Sequence, residues 1–356
     1  MSSGRGNQRN LRFIVLSTFL VAMAMLQVML SDSTTAGKQT HTLIKDAHSH
    51  SSSNSYTTSN SSNPNRLCTQ NQYANGLKLP LSDTARLMDQ WLANKTLHEK
   101  TLMEHKDTTL AHTHARFDAF EVMGGCEFDC VGGECRRDES KIACGVTAVE
   151  APCVVYSIGG NNKWAFEKDL LQKTPCEIHT FDCTGLRERF HKPDNDRLHF
   201  HHVCLGTANA PAPKTPPTSP SGIGGEFWTL EKIQKTLNHT QIDLFKMDIE
   251  GYEFPLFNSW PILTDIKSPS TVLPMQVLVE VHYQTQMTEL ATDKRADWKF
   301  PTDMINLEEH FLKMGYAVVI RDDNKACKHC TELTLVRIKC PSSEDFKLGT
   351  SDNLLA

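Results

Sequence analysis

The sequence predicts a doubly wound α/β fold with a mostly parallel sheet. Two observations carry this prediction. From Cys153 onward, short apolar runs alternate with stretches of helical periodicity, and only the polar segment NKACKHC separates the last two apolar runs. Strands separated by helices pair in parallel and have both faces covered, whereas two strands joined by a short polar segment form an antiparallel hairpin. We therefore expect a mostly parallel sheet that closes with a C-terminal hairpin.

Length and composition allow a substantial core. The chain has 356 residues, 39% of them hydrophobic, which is enough for one large domain or two ordinary ones. Its formal net charge is -5 and it has no long basic run. A polyphosphate backbone requires a dense positive surface, which this composition does not supply. We expect no nucleic-acid partner.

The N-terminus predicts the cellular compartment. Three arginines in residues 1–12 precede the uncharged run of residues 13–30, which is about long enough to cross a bilayer at ~1.5 Å per residue. The run is longer than the apolar region of a typical cleaved signal peptide, although a cleaved signal stays the alternative. Because positive charge stays on the cytoplasmic side, we predict a cytoplasmic tail (1–12), a signal anchor (13–30) and a luminal body. This is the topology of a single-pass type II membrane protein of the Golgi or ER.

Two segments separate the anchor from the core. Residues 31–80 are rich in Ser, Thr and Asn and have little to bury, which predicts a disordered stem. Residues 81–120 open with a candidate cap at Ser82 or Asp83 and continue with apolar residues at helical spacing, which predicts a helical docking segment. Sequons for N-glycosylation agree with a luminal body and stand at Asn60, Asn94 and Asn238.

Cysteine usage also favours an oxidising compartment. There are 12 cysteines, several of them in a Cys-rich lead-in at residues 121–152. An even number of cysteines in a luminal chain predicts disulfides, whose connectivity the sequence does not give. The spacings Cys126-x3-Cys130-x4-Cys135 and Cys327-x2-Cys330 leave zinc ligation as an alternative.

The elements of the core follow in order through residues 153–345, before a flexible tail at 346–356. A Pro/Gly-rich loop at 208–225 interrupts the alternation of strands and helices. The predicted strands are CVVYSIGGNN, EIHTFDC, RLHFHHVCLG, QIDLFKMDIEG, PMQVLVEVHYQ, GYAVVIRDD and TELTLVRIK, and the helices between the early ones are WAFEKDLLQK and FWTLEKIQKTLNH.

Polar residues stand where these strands end. In doubly wound sheets, ligands bind beyond the carboxyl ends of the strands, where the strand order reverses. An acid about 20 residues after a glycine turn suits the two hydroxyls of a ribose, and Asp182 lies 23 positions after Gly159. We therefore predict a nucleoside cofactor in this crevice. The residues expected there are Gly159, Gly160, Asn161 and Asn162 after the first strand, Asp182 after the second, and Asp248 and Glu250 after the fourth.

The stretch IDLFKMDIEGYEF resembles the fourth-strand motif of FkbM-type S-adenosylmethionine-dependent methyltransferases. The wider run of APCVVYSIGGNNKWAFE, CEIHTFDCTG and FWTLEKI is similar to eukaryotic methyltransferase-like proteins of that clan, so that the resemblance covers roughly residues 120 to 340. It implies a Rossmann-like seven-stranded sheet of the class I methyltransferase type and S-adenosyl-L-methionine as the cofactor.

The resemblance also assigns roles to residues. It implies that Gly159, Gly160 and Asn161 border the methionine end of the cofactor, that Asp182 holds the ribose, and that Asp248 and Glu250 face the transferred methyl group. The chain departs from the family pattern at two positions, since Ser157 stands where an acid is usual and Lys163 near where a glycine is usual.

The chemistry of methyl transfer points to the same residues. The reaction needs the nucleophile held in line with the methyl group, and an alcohol nucleophile also gains from a base. We predict Asp248 or His282 as that base, with Glu250 and Glu280 positioning substrate or backbone and Lys246 keeping a neighbouring carboxylate ionised. A turn cap at Gly251 is the alternative role for Glu250, and a structural ion pair the alternative for Lys246.

We expect no metal, with two alternatives left open. In HFHH, alternation places His199 and His201 on one strand face and His202 on the other, so at most two of them converge. A divalent cation at Asp248 and Glu250 with His282 would acidify a hydroxyl.

The predicted function is O-methylation of a small-molecule or glycan acceptor rich in hydroxyls, in the secretory pathway. The alternatives are a non-catalytic luminal binding protein with a decayed site, and an enzyme that uses NAD or a nucleotide sugar.

Overall fold

The structure is a computed structural model that describes residues 67–104, 114–137, 139–264, 272–283, 301–323, 327 and 329–340. The predicted cytoplasmic tail, the signal anchor, most of the stem and the C-terminal tail lie outside these ranges. Among the helices of the described ranges, none combines the length and the apolar character needed to cross a membrane.

Seven α-helices lie within the described ranges: α1 Gln72–Asn75, α2 Leu81–Ala93, α3 Lys95–Glu104, α4 Ala165–Lys173, α5 Leu230–Leu237, α6 Glu253–Asn258 and α7 Pro301–Lys313. Three short 3-10 helices accompany them, at His114–Ala119, Val146–Ala148 and Arg187–Arg189.

Eleven strands are described. Seven of them form the central sheet: β3 Val154–Ile158, β4 Glu177–Phe181, β5 Leu198–His201, β8 Leu244–Met247, β9 Gln276–His282, β10 Tyr316–Asp322 and β11 Cys330–Arg337. Two small two-stranded sheets pair β1 Phe128–Val131 with β2 Lys141–Cys144, and β6 Val203–Leu205 with β7 Glu226–Trp228.

The central sheet has the order β10-β11-β9-β8-β3-β4-β5. Strands β3, β4, β5, β8 and β9 pair in parallel, and β11 runs antiparallel to both β9 and β10. The predicted fold class, a mostly parallel seven-stranded sheet with a closing antiparallel hairpin, is confirmed. The strand order reverses between β3 and β8, so the crevice that binds ligands in such sheets lies at their carboxyl ends.

The folded body begins earlier than the predicted end of the stem. Cys68 is buried and forms a disulfide with Cys340. The side chain of Asn71 donates hydrogen bonds to the carbonyls of Met275 and Arg337, at 3.0 and 2.9 Å. These bonds hold the segment before residue 80 against the end of the sheet. The polar composition of the preceding residues gives no indication of them.

The predicted docking helix is present as α2. Met88 and Trp91 are buried in the same core cluster as the sheet. The helix begins at Leu81 after Pro80, which occupies the cap position without a side-chain hydrogen bond, so neither Ser82 nor Asp83 serves as the cap. A proline fits there because its fixed φ is compatible with a helix start.

The β1–β2 hairpin is fixed to the sheet at both backbone and side chains. The buried side chain of Gln276 accepts a hydrogen bond from the Cys144 amide at 2.7 Å and donates one to its carbonyl at 3.1 Å. A disulfide joins Cys126 to Cys144 at the base of the hairpin. This docking brings Lys141, the first residue of β2, over the sheet.

All twelve cysteines are paired, which confirms the disulfide prediction. The sulfurs of Cys327 and Cys330 also lie within 4.8 Å of ligand atoms of Glu280 and His282, so zinc ligation stays the alternative for this pair. The pairs are Cys68–Cys340, Cys126–Cys144, Cys130–Cys135, Cys153–Cys176, Cys183–Cys204 and Cys327–Cys330.

Removing the disulfide between Cys68 and Cys340 should cost more stability than removing the one between Cys130 and Cys135. The first pair is separated by 272 residues and the second by 5. Loop-closure entropy then gives upper estimates of about 5–6 and about 2 kcal/mol, respectively. Urea unfolding of the two double serine variants beside the wild type measures the difference. Equal losses in the two variants would contradict the expectation.

Candidate active site

The turn after β3 requires its glycine. Gly159 has φ of +79°, and a Cβ at this position would lie 1.9 Å from the carbonyl oxygen of Asp248. Asn161 and Asn162 follow with φ of 45° and 60°, a left-handed conformation that asparagine tolerates better than most residues. The predicted glycine turn is therefore a close approach of two strand ends, β3 and β8.

Side chains of the loop hold this turn in place. The carboxylate of Asp182 accepts a hydrogen bond from the Asn161 amide at 2.6 Å. The side-chain oxygen of Asn162 accepts from the indole of Trp164 at 3.0 Å and from the His191 amide at 2.8 Å. The Asn162 side chain thus serves the loop and leaves the backbone of the turn to face the cleft.

Asp182 has less capacity for a ribose than the sequence predicts. Its Oδ1 accepts from both the amide and the hydroxyl of Thr184, at 2.9 and 2.6 Å, and its Oδ2 accepts from Asn161. Since a carboxylate offers about four lone-pair sites, one site on Oδ2 is left for a ligand hydroxyl.

A second carboxylate lies at the glycine turn, and the sequence analysis missed it. Glu167, in the first turn of α4, accepts a hydrogen bond from the hydroxyl of Ser157 at 2.7 Å. Its Oε1 would lie 3.9 Å from a Cβ at Gly160, and its Oε2 is buried with no hydrogen-bond partner among the described residues. Ser157 therefore contributes to the site indirectly, because its hydroxyl holds the carboxylate of Glu167 from the following helix.

The fourth-strand motif divides its acids between the backbone and the cleft. Strand β8 ends at Met247, so Asp248 and Glu250 both follow the strand, as the sequence predicts. Glu250 has φ of 57°, which is uncommon outside glycine and is found at functional sites. The buried carboxylate of Glu253 accepts from the amides of Ile249 and Gly251, at 3.3 and 3.1 Å. The turn cap that was the alternative role for Glu250 is thus made by Glu253.

Lys246 fixes the neighbouring strand. Its ammonium donates to the carbonyls of Ile158 and Gly159, at 3.2 and 3.0 Å. The ammonium thereby holds the end of β3 beside that of β8, and its charge also acts on Asp248. The sequence left open whether Lys246 has a structural or an electrostatic role, and in the structure its side chain has both.

The centre of the cluster is Lys141, which the sequence analysis missed. Its ammonium lies 3.6 Å from Asp248 Oδ2 and 3.3 Å from Glu280 Oε2, and it forms a very short ion pair with Glu332. The Lys141 side chain is 3% exposed. No local pattern marks this residue, because it stands in the Cys-rich lead-in and reaches the site only through the docking of the hairpin.

The charges around Lys141 give the neighbouring carboxylates different pKa values. Burial disfavours the ionised form of Asp248, but the charges of Lys141, Lys246 and His282 outweigh it and hold the pKa of Asp248 well below its usual range. Burial raises the pKa of Glu332 to about 8, with Glu280 and Asp248 adding to the effect against Lys141. The pKa of Glu280 is also raised, first by burial and then by Asp248.

The His282 side chain is protonated at neutral pH and therefore cannot accept a proton. Burial alone lowers the pKa of an imidazole, but the carboxylates of Glu253, Asp248 and Glu280 raise the pKa of His282 to about 10. Its Nδ1 lies 3.2 Å from Glu253 Oε1 and its Nε2 lies 3.6 Å from Glu250 Oε2.

These groups line one cavity of about 610 Å³. It brings together the predicted cofactor residues and the predicted catalytic residues, with apolar walls from β4, β6 and the Pro/Gly-rich loop. Its lining includes Lys141, Gly159, Gly160, Asn161, Glu167, Phe181, Asp182, Leu205, Ile223, Phe227, Lys246, Asp248, Glu250, Glu280 and His282, whereas Ser157 and Asn162 stand behind it.

Comparison with protein families agrees with this arrangement. Residues 85–337 match the model of a family described as a methyltransferase domain. The chain belongs to this methyltransferase-domain family. The match begins within α2, so the methyltransferase domain takes in the docking helix and the hairpin as well as the sheet. No curated protein matches the chain in sequence.

Solved methyltransferase structures overlap with it only weakly. NodS, an N-methyltransferase from Bradyrhizobium japonicum WM9, has 9% identity and a TM-score of 0.29 over 52% of this chain and 85% of its own. A variant of the 16S rRNA (adenine(1408)-N(1))-methyltransferase from Catenulisporales acidiphilia has 10% identity and a TM-score of 0.30 over 55% and 89%. The structure of the fibrillarin/Nop5p complex has 8% identity and a TM-score of 0.31 over 53% of this chain and 74% of its own. The fold of the chain is defined by the strand order of its own central sheet.

Replacing the buried lysine tests the charge arrangement. In Lys141→Met, three carboxylates lose their shared cation, so the free energy of unfolding at pH 7 should fall by about 3–5 kcal/mol. Without the cation their pKa values rise in the folded state, so the loss should shrink at pH 5, where the folded protein takes up protons more readily than the unfolded chain. Urea unfolding at both pH values measures this.

The matched control is Lys163→Met. Lys163 pairs with Glu139 at 2.9 Å, with both side chains about half exposed. This substitution should alter the free energy of unfolding by no more than about 0.5 kcal/mol at either pH. A Lys141→Met variant as stable as this control would contradict the central role of the buried ammonium.

Proposed function

We propose that this methyltransferase domain transfers the methyl group of S-adenosylmethionine to a hydroxyl of a polar acceptor. One observation carries the proposal: a single cavity at the carboxyl ends of the strands contains both the glycine turn of Gly159 and the acidic cluster around Lys141. A site of this kind can hold a nucleoside cofactor at one end and a nucleophile at the other.

The residues at the glycine turn fit the cofactor. Buried polar atoms are normally hydrogen-bonded, and the unpartnered Oε2 of Glu167 in this cavity matches the ammonium of a methionine moiety. The free lone pair of Asp182 is available to a ribose hydroxyl. Apolar side chains at Phe181, Ile223 and Phe227 offer a surface for the adenine.

When bound, the cofactor supplies an electrophilic methyl group on a sulfonium. The protein's own residues must orient the acceptor and remove its proton, and an effective base has a pKa not far from the working pH. Asp248 is too acidic for this role and His282 is already protonated. Burial raises the pKa of Glu250 above its usual value, and its Oε2 has no hydrogen-bond partner among the residues described. We assign the base to Glu250.

The remaining charged groups then position the acceptor. Asp248 stays ionised beside Lys141 and offers its carboxylate as an acceptor, and His282 Nε2, which lies 3.6 Å from Glu250 Oε2, is available to donate to a bound hydroxyl. The ligand atoms of Asp248, Glu250 and His282 lie within 4.8 Å of one another, so the divalent-cation alternative stays open at these three residues. The carboxylate-rich lining favours a neutral, hydroxyl-rich acceptor such as a glycan over a phosphorylated one.

The order of the motifs supports a closer relationship to the FkbM-type methyltransferases. The glycine turn, Asp182 and the Asp248–Glu253 motif occur in the order and at the strand ends that the resemblance implies. The acid usual at the position of Ser157 is replaced in space by Glu167.

A luminal binding protein without activity is the second candidate. The commitment of three Asp182 lone pairs to its own loop favours it, because a ribose would find only one acceptor there. Binding measurements with S-adenosylmethionine, NAD and nucleotide sugars distinguish the two candidates and the remaining enzyme class.

Two isosteric changes should divide binding from catalysis. Glu167→Gln removes a charge that faces the cofactor, so the Kd for S-adenosylmethionine should rise about 5- to 150-fold, equivalent to about 1–3 kcal/mol. Glu250→Gln should leave that Kd unchanged and lower turnover by roughly 10²–10⁴. Wild-type turnover should fall as the pH drops through the raised pKa of Glu250, and the residual turnover of Glu250→Gln should lack this dependence.

Calorimetry and a methyl-transfer assay on a panel of glycans measure both effects. Glu231→Gln, an exposed change on α5 outside the cavity, is the control and should alter neither. If wild type fails to bind S-adenosylmethionine at millimolar concentration, the methyltransferase proposal is wrong and the binding-protein candidate takes its place.

We further propose a luminal location in the Golgi or ER, supported by the six disulfides and by the arginine-flanked apolar run of residues 13–30. Asn94 and Asn238, two predicted glycosylation sites, are exposed at the ends of α2 and α5. Both positions are open to modification in that compartment.

Expressed in cells, the full chain should stay with the membrane after alkaline extraction and should migrate faster after treatment with an N-glycosidase. Asn94→Gln should remove one glycan-sized step from that shift. Complete release of the protein into the medium would reject the anchor, and an unchanged mobility would reject the luminal body.

A further inference from the structure

Four histidines converge on the face of the sheet opposite α4. His179 on β4 pairs in register with His199 on β5, and their rings stack with centroids 4.7 Å apart. The ring of His201 lies 5.3 Å from that of His179, and His239, which follows α5, places its ring 4.7 Å away. The sequence predicts the shared face of His199 and His201, but the tertiary fold adds the other two.

Three of the potential ligand groups are close enough to share an ion. The ligand atoms of Glu177, His179 and His239 all lie within 4.8 Å of one another. Donor atoms around a tetrahedral zinc ion are about 3.3 Å apart, given Zn–N and Zn–O distances of about 2.0–2.2 Å. Small side-chain rotations therefore suffice to close the set. Glu177 is about half exposed, which leaves a path by which an ion can enter.

The hydrogen bonds around these histidines resemble the outer shell of a metal site. His179 Nδ1 lies 3.0 Å from His201 Nε2, and His239 Nδ1 lies 2.7 Å from the hydroxyl of Tyr156. Metal-ligating histidines use their second ring nitrogen in this way, which fixes the tautomer and the ring orientation. In both residues Nε2 is then left for another partner.

That nitrogen of His179 is unsatisfied in the described structure. The residue is 4% exposed, and its Nε2 is buried without a hydrogen bond to any described group. Glu177 Oε1 is 3.3 Å away but lies closer, at 2.9 Å, to His199 Nε2. A buried nitrogen lone pair beside a carboxylate and a second imidazole is the arrangement that a cation satisfies.

Zinc suits the donors better than a harder ion. Two imidazoles and one carboxylate select a borderline metal over Mg²⁺ or Ca²⁺, which prefer oxygen donors only.

We propose that Glu177, His179 and His239 bind one zinc ion, with His199 beside the remaining coordination position. The ion would join strand β4 to the segment between α5 and β8, which leads directly into the motif strand of the catalytic cavity. This site is separate from the cavity, since none of its ligands lines it. The proposal does not depend on the proposed function.

The test is metal content and affinity of the full chain in detergent. After chelation, zinc addition and desalting, wild type should retain one equivalent more than His239→Ala, because histidines outside the described ranges contribute equally to both proteins. Cobalt should give d–d absorption bands that the same variant lacks. Tyr156→Phe, which keeps the packing, should weaken binding about 10- to 100-fold through loss of the outer-shell hydroxyl.

Two controls locate the ion. His98→Ala, on α3 and stacked against Trp91 far from β4 in the sequence, and Glu250→Gln, in the catalytic cavity, should both keep the full zinc content. The proposal is overturned if wild type and His239→Ala retain equal zinc, or if Glu250→Gln loses the ion while His239→Ala keeps it. Far-UV circular dichroism verifies that each variant is folded, and the wild-type cobalt spectrum tests the site even if a variant is not.

Discussion

The arrangement of the catalytic cavity depends on one buried ammonium. Lys141 brings a positive charge into a place where Asp248, Glu280 and Glu332 would otherwise repel one another. A buried carboxylate group of this kind is costly without a cation, and breaking such a group typically costs several kcal/mol. Because the ammonium comes from a hairpin outside the sheet, the ionisation of the carboxylates at the site depends on the docking of that hairpin. The Cys126–Cys144 disulfide and the side chain of Gln276 therefore help to hold the charge arrangement of the candidate site in place.

Acids that look equivalent in the sequence have different roles in the structure. Glu253 serves backbone amides, and most of the Asp182 carboxylate does the same, so these two shape the loops on either side of the cleft. Among the described residues, Glu167 and Glu250 each have a buried oxygen without a hydrogen-bond partner, and both residues line the cavity. The backbone amides of each loop need a hydrogen-bond acceptor, and Glu253 and Asp182 supply it. The acids that are not needed for this purpose are the ones available to ligands.

The sequence predicts the fold and the location of the cleft, but only part of its chemistry. Strand periodicity and the polar strand ends identify the sheet and the positions of Gly159, Asp182 and Asp248, because both signals are local. Lys141 and Glu167 could not be found in this way, since each reaches the site from an element with no motif of its own. The pKa values of Asp248 and Glu250 are also shifted in opposite directions by the tertiary fold. Burial is outweighed at Asp248 by the charge of the remote Lys141, which lowers its pKa, whereas burial raises the pKa of Glu250. The same reason explains why His179 and His239 were not seen as partners of the histidines on β5.

The disulfides connect the proposed location to the proposed chemistry. In a reducing compartment the β1–β2 hairpin would lose both of its cross-links, Cys126–Cys144 and Cys130–Cys135, while the cost of burying Lys141 would stay the same. The hairpin would then be held by its buried residues, such as Val131 and Ala143, by the ion pairs of Lys141, and by hydrogen bonds that contribute about 0.5–1.5 kcal/mol each. Withdrawal of the ammonium would leave the carboxylates to take up protons, and Asp248 would lose the charge that distinguishes it from Glu280. An oxidising compartment therefore preserves the difference between a permanently ionised acid and a titratable one, and acid–base chemistry at this site requires that difference.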